Sequence, residues 1–200
     1  KEVLDSHVIG DPLSYWCVRL GNLGVGSDNW RVHRREAVGM TTESLAHEFD
    51  TIRWLFGEIE SISARVRCSR EDLPGIDDQA SVSLDTSSHV IATITASWSS
   101  SISTGSRGII GTKGTVEMRG DDIWSVSSVR WKDLATGGVQ ERTFSETLGW
   151  EAYTGLSEAF IDAIRGGQTC VPDASDGLEA LRISLAALRS SRGGGRLVRL

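Results

Sequence analysis

The chain has 200 residues, 39% of them hydrophobic and 24% charged, with a formal net charge of -6. That size supports a single large domain whose core needs neither a disulfide nor a metal. The acidic balance lacks the basic stripe of a nucleic-acid binder, and no apolar run approaches the ~20 residues of a membrane-spanning helix, so neither nucleic acid nor membrane is an expected partner. Three dispersed cysteines, Cys17, Cys68 and Cys170, form no C-x-x-C pair and suit reduced thiols in a cytoplasmic protein.

Residues 1–8 read as the tail of a short helix ended by Gly10 and Pro12, and residues 13–20 alternate as a strand. The glycine run Gly21-Asn-Leu-Gly-Val-Gly26 follows that strand in the order G-x-x-G-x-G, and the following Ser27-Asp-Asn-Trp30 does not open a helix. Without a helix N-terminus, no aligned set of N–H groups meets a pyrophosphate, so the run is not a dinucleotide fingerprint. Residues 41–56 form the most regular helix, with Thr41 or Thr42 to cap it and Gly57 to close it. Leu45, Phe49, Ile52 and Phe56 give it one apolar face, while Glu43, His47, Asp50 and Trp54 recur on another.

From Ile59 the period changes to two. Residues 59–68, 80–85 and 90–98 read as strands, the last two joined by the polar turn 86–89. The serine-rich stretch 97–106 reads as a strand end and loop, and residues 108–118 as two short strands around Gly111-Thr-Lys-Gly114. Residues 124–131 and 139–144 continue the sheet. A helix over 152–165 is expected to bury Leu156, Phe160, Ala163 and Ile164. A last helix from Asp176 to Ser190 is expected to turn Leu178, Leu181, Ile183, Leu185 and Leu188 inward, before a short strand at 196–200. Helix, many strands, then helices implies an α+β domain over residues 1–200: an open, mainly antiparallel sheet with helices on one face.

Seven tryptophans exceed Phe and Tyr combined. Their main expected role is packing, with one or two available to stack on the C–H face of a sugar. Trp98, Trp124 and Trp131, on or beside strands, supply more apolar surface than one helical layer covers, which predicts self-association through the sheet.

His47-Glu48 shares two letters with the zinc motif H-E-x-x-H, but Thr51 stands at the second histidine, so no metal site is expected. No G-x-S-x-G elbow exists. Glu43 and His47 lie four apart on one helix face, where a carboxylate favours the imidazolium form of its neighbour and orients the ring. Such a pair suits a general base that takes a hydroxyl proton as hydride leaves the adjacent carbon. It equally suits a solvated helix pair, and the residues alone do not separate the two readings. His7, His33 and His89 have no such partner in their local segments.

The segment Glu43-Ser-Leu-Ala-His47-Glu-Phe-Asp50-Thr-Ile-Arg-Trp54-Leu-Phe-Gly57 resembles the D-x-G-x-H-x-x-D-x-x-x-W-L-x-G stretch of the Gfo/Idh/MocA oxidoreductases. Gly10-Asp-Pro-Leu13, Ile110-Gly-Thr-Lys-Gly114, Phe160-Ile-Asp-Ala-Ile-Arg165 and the stretch 173–181 extend the likeness along nearly the whole chain. The resemblance implies the substrate-binding and oligomerisation half of an enzyme acting on a sugar, inositol or related polyol. It implies NAD or NADP bound by a preceding Rossmann domain that is missing here, so that this chain alone is expected to be inactive. It implies a homo-oligomer built through the open sheet face. By position His47 matches the family's active-site histidine, Glu43 its acidic partner and Asp50 the aspartate that follows. Trp30, His33 and Arg35, just before the helix, are the expected additional substrate contacts. Two departures stand out: Glu43 replaces Asp, and Leu45 replaces a common Gly. Two other readings stay open, a non-catalytic sensor or scaffold keeping the fold and the redox-assisted glycosidase chemistry of some relatives.

Overall fold

The computed structural model describes residues 1–24, 30–33, 39–120, 126–135, 137–144 and 148–200, with backbone alone at 32, 33 and 148–152. Among them nine strands make one sheet: β1 (Pro12–Asn22), β2 (Ile59–Arg67), β3 (Gln79–Thr86), β4 (Ile91–Ser97), β5 (Ser99–Gly111), β6 (Gly114–Gly120), β7 (Ser128–Asp133), β8 (Val139–Thr143) and β9 (Val198–Arg199). Their spatial order is β8-β7-β6-β5-β1-β4-β3-β2-β9. Every pairing is antiparallel except β1 with β4, which sets Trp16 beside Thr93. A parallel neighbour requires a long crossover. Here the crossover contains all the chain between Asn22 and Ile91, including the helices that carry the candidate site.

The serine-rich stretch is no loop. It is the first half of β5, which spans 13 residues and pairs with β1 from Leu20–Thr104 to Ser14–Ile110. Serine is a weak strand former, so pairing with β1 at Ser99 and from Thr104 onward, joined by β6 from Gly105, decides its state. Gly108 lies opposite Trp16, and a Cβ there would fall 2.0 Å from the indole, so only glycine lets that ring lie across β5.

Among the described residues six helical segments accompany the sheet: α1 (Glu2–Asp5), α2 (Trp30–His33), α3 (Met40–Glu43), α4 (Leu45–Phe56), α5 (Leu148–Gly166) and α6 (Ala174–Arg192). The helix expected over 41–56 is therefore broken at Ser44. The break coincides with a hydrogen bond of 3.1 Å from Arg19 Nη1 to the Ser44 carbonyl. Neither threonine is the cap. Gly39 is the N-cap, and Asp77 from a distant loop accepts the Thr41 N–H at 2.7 Å and its hydroxyl at 2.6 Å. A Cβ on Gly39 would overlap the Asp77 carboxylate, 1.7 Å from Oδ1.

The core lies between α4, α6 and the inward side of the central strands. Leu45, Phe49, Ile52 and Phe56 of α4 are buried together with Tyr15, Cys17, Ile62, Val82, Leu84 and Ile94. The Phe56 and Tyr15 rings meet at 5.7 Å. Burying each large side chain contributes about 1.5–3 kcal/mol.

The last two helices differ from expectation. On α6 the inward face is Ala180, Ile183, Ser184, Ala186, Ala187 and Ser190; Leu178, Leu181 and Leu185 are exposed and Leu188 is half-buried. Small residues win because α6 lies close against β2, where Ser190 and Ser191 hydroxyls accept the Ala64 and Val66 backbone N–H groups at 2.9 and 2.8 Å. Those N–H groups lie beyond the two-residue pairing with β9, and α6 covers that edge of the sheet. On α5, Leu156, Phe160 and Ile164 are exposed and Ala163 half-buried.

The tryptophan surface also needs correction. Trp98 is 5% exposed and belongs to the core, Trp131 is half-buried against it, and Trp124 lies outside the described residues. Among the described residues Trp16 puts an indole on the open face, flanked along β1 by Val18 and Leu20, with Ile91 and Ile110 beside Ser14 on the neighbouring strands.

Candidate active site

Burial alternates around α4 as the sequence pattern requires. Leu45, Glu48, Phe49, Ile52 and Phe56 face inward, while His47 and Trp54 are exposed and Asp50 half-buried. His47 thus presents its imidazole outward one turn from Asp50 and one turn from Glu43, the last residue of α3. The structure places these three sequence-expected residues along one side of the α3–α4 segment.

Glu43 has a partner that the sequence reading missed. The Arg31 guanidinium forks onto it, Nε donating to one oxygen at 2.7 Å and Nη2 to the other. Arg31 also lies over the Trp30 ring, 4.6 Å from its centroid. A carboxylate has about four acceptor sites. Arg31 therefore fixes the orientation of Glu43 and leaves lone pairs for a histidine or a hydroxyl. Trp30, half exposed, stands on the single turn α2 that delivers Arg31. His33 is placed by its backbone only, and Arg35 lies outside the described residues.

Under the same turn lies a buried charge cluster. Glu48 is 1% exposed. Arg107 of β5 donates to it from Nε at 3.0 and 3.1 Å and from Nη2 at 2.9 Å. Tyr15 of β1 donates its hydroxyl to Oε1, and Arg19 of β1 comes within 3.6 Å of Oε2. Burial alone would raise the Glu48 carboxyl, but the bonds and charge of Arg107, with Tyr15 and Arg19, leave it below the usual range. Burial, then the Glu48 charge, push the Tyr15 hydroxyl well up, so it stays a neutral donor. The signal was present in the sequence: Arg19 shares strand parity with Tyr15 and Cys17, and Glu48 falls in phase with the apolar stripe of α4. A charge at a core position calls for a buried counter-charge.

At its far end α4 opens onto a cleft of about 480 Å³ lined by Asp50, Arg53, Trp54, Glu58, Val171, Pro172 and Asp176. Arg53 forks onto Glu58 with two bonds of 2.9 Å and lies 3.7 and 3.6 Å from Asp50 and Asp176. Asp50 is therefore tied to a charge ladder on the outer surface.

The profile of the GFO/IDH/MocA C-terminal domain matches residues 1–117. The chain belongs to the Gfo/Idh/MocA family. Similar curated relatives include inositol 2-dehydrogenase 1 of Saccharopolyspora erythraea, 29% identical over 97% of this chain and 55% of the relative. The inositol 2-dehydrogenase of Rhizobium meliloti is 31% identical over 76% of this chain and 47% of the relative. The Gfo/Idh/MocA chain described here thus spans about half the length of the curated relatives it matches. Among solved structures, an Agrobacterium radiobacter oxidoreductase in complex with NAD+, L-tartaric acid and magnesium superposes with a TM-score of 0.83 at 20% identity, over 100% of this chain and 60% of the other. Levoglucosan dehydrogenase with NADH and levoglucosan gives 0.85 at 16% identity, over 100% and 61%. These likenesses show that the α+β fold with its open sheet is the Gfo/Idh/MocA one.

Proposed function

We propose that this domain is the substrate-binding half of an NAD(P)-dependent oxidoreductase acting on a sugar, inositol or related polyol. The observation that carries the reading is the exposed His47 between Glu43 and Asp50, on a helix anchored from below. Its likeness to inositol 2-dehydrogenases over nearly its whole length supports that substrate class.

His47 takes the proton of the reacting hydroxyl when the alcohol is oxidised and returns it in the reverse direction. A base in this role typically contributes ~10²–10⁴-fold. Glu43, held by Arg31, orients the imidazole, and Asp50 accepts a hydrogen bond from a substrate hydroxyl. Trp30 offers an indole face to sugar C–H groups, with His33 and Arg35 as further contacts. α2, the first helical segment described after the glycine run, has four residues, too few to align a row of N–H groups with a pyrophosphate. In this reading the nicotinamide cofactor, which accepts the hydride, is held by a domain outside residues 1–200. The open sheet face, with Trp16, Val18, Leu20, Ile91 and Ile110 framed by hydroxyl side chains, serves as the contact with a second copy in this reading.

The test is a coupled binding and turnover assay of the full-length gene product. It is given NAD or NADP and a panel of inositols, aldoses and alditols, and reduced nicotinamide is followed by absorbance. Turnover of a polyol or sugar is expected. Saturable binding without turnover on any member would instead mark a sensor.

A further inference from the structure

We propose that the buried cluster of Arg19, Glu48 and Arg107 is the positioning element of the active-site turn, with Glu48 as a positioning residue that acts through His47. The inference rests on the reading of His47 as the acid–base group. Apolar packing from Leu45, Phe49, Ile52 and Phe56 already holds α4 on the sheet. Buried ion clusters are often replaceable by hydrophobes without loss of stability, so adhesion does not account for this one. Direction does. Apolar contacts tolerate small slides and rotations of a helix, whereas a forked guanidinium–carboxylate pair fixes both.

The cluster sits where such control matters. Arg107 grips both oxygens of Glu48 from β5, and Tyr15 donates from the adjacent β1. Arg19 reaches the two ends of a single helical turn, with Nη1 3.1 Å from the Ser44 carbonyl and 3.6 Å from the Glu48 carboxylate. His47 lies inside that bracket, one residue before Glu48 on the outward face. One residue of helix is about 1.5 Å of rise and 100° of rotation, so a fractional slip displaces the imidazole by about 1 Å. Misplacement on that scale costs ~10²-fold in turnover.

The test is a double-mutant cycle on the full-length gene product with nicotinamide cofactor and its best polyol substrate. Glu48→Gln and Tyr15→Phe are each made alone and in the His47→Ala background. Glu48→Gln is expected to lower kcat by about 10- to 100-fold with the KM for cofactor unchanged. Tyr15→Phe, which removes one hydroxyl and keeps the ring, is expected to lower it about 2- to 10-fold. Both losses should vanish in the His47→Ala background, because a displaced base that is already absent costs nothing more. A purely structural role would lower kcat equally in both backgrounds, and that result overturns the proposal. Wild-type kcat in folded Glu48→Gln also overturns it. If Glu48→Gln yields no soluble protein, the Tyr15→Phe cycle decides by the same criterion. Wild-type turnover of His47→Ala by itself would instead remove the acid–base reading, and this inference with it.

Discussion

Two carboxylates in this domain meet an arginine fork with nearly the same geometry and very different surroundings. Glu48 accepts from Arg107 at 2.9–3.1 Å with 1% of its side chain exposed, and Glu58 accepts from Arg53 at 2.9 Å with 66% exposed. Replacing each by Gln therefore varies the solvent while holding the geometry. Glu58→Gln should cost about 0–1 kcal/mol, because water screens the pair. Glu48→Gln strands the charges of Arg107 and Arg19 in the interior and should cost about 3–5 kcal/mol. Against a total stability of about 5–15 kcal/mol this is a large fraction. It corresponds to a fall in Tm of about 6–20 °C, at ~2–4 °C per kcal/mol for a chain of this size. The sign with pH follows from the depressed Glu48 carboxyl. Its contribution is complete above the unfolded value near ~4.3 and is lost as pH falls through the lower folded value, so Glu48→Gln should flatten the acid-side decline. Urea denaturation of both variants at neutral and acid pH measures these differences. Equal losses for the two variants, or a loss under about 1 kcal/mol for Glu48→Gln, would refute the reasoning.

Three further outcomes are expected. Calorimetry should show no NADH binding to residues 1–200 alone; micromolar binding would place a cofactor site within them. Light scattering should show self-association at micromolar concentration, lost in Trp16→Glu with folding intact; a monomeric wild type would reassign the open sheet face to solvent. Gly39→Ala should lower stability by about 1–3 kcal/mol, because a methyl there displaces the Asp77 carboxylate that caps α3; an unchanged urea midpoint would show that the loop carrying Asp77 yields freely.

The strand ladder and the apolar stripe of α4 were legible because their periods are local: two along β2, β3 and β4, and four-three-four through Leu45, Phe49, Ile52 and Phe56. The line of Glu43, His47 and Asp50 was legible for the same reason. What escaped depends on contacts across the fold. Asp77 caps α3 from 36 residues away, and no local pattern announces it. The leucines of α6 form the more apolar stripe, yet the helix turns its alanines and serines inward because the β2 backbone needs the hydroxyls of Ser190 and Ser191. The serine-rich half of β5 is a strand because β1 pairs with it. Arg19 and Glu48 each occupied a core-facing position in the sequence pattern, and only the fold brings them together with Arg107.

The central claim is that His47 exchanges the substrate's hydroxyl proton, and His47→Ala in the full-length gene product tests it most directly. Turnover of the polyol substrate at saturating cofactor is expected to fall ~10²–10⁴-fold with cofactor affinity nearly unchanged. Wild-type turnover across the pH range would contradict the account and leave Glu43 and His47 as a surface helix pair.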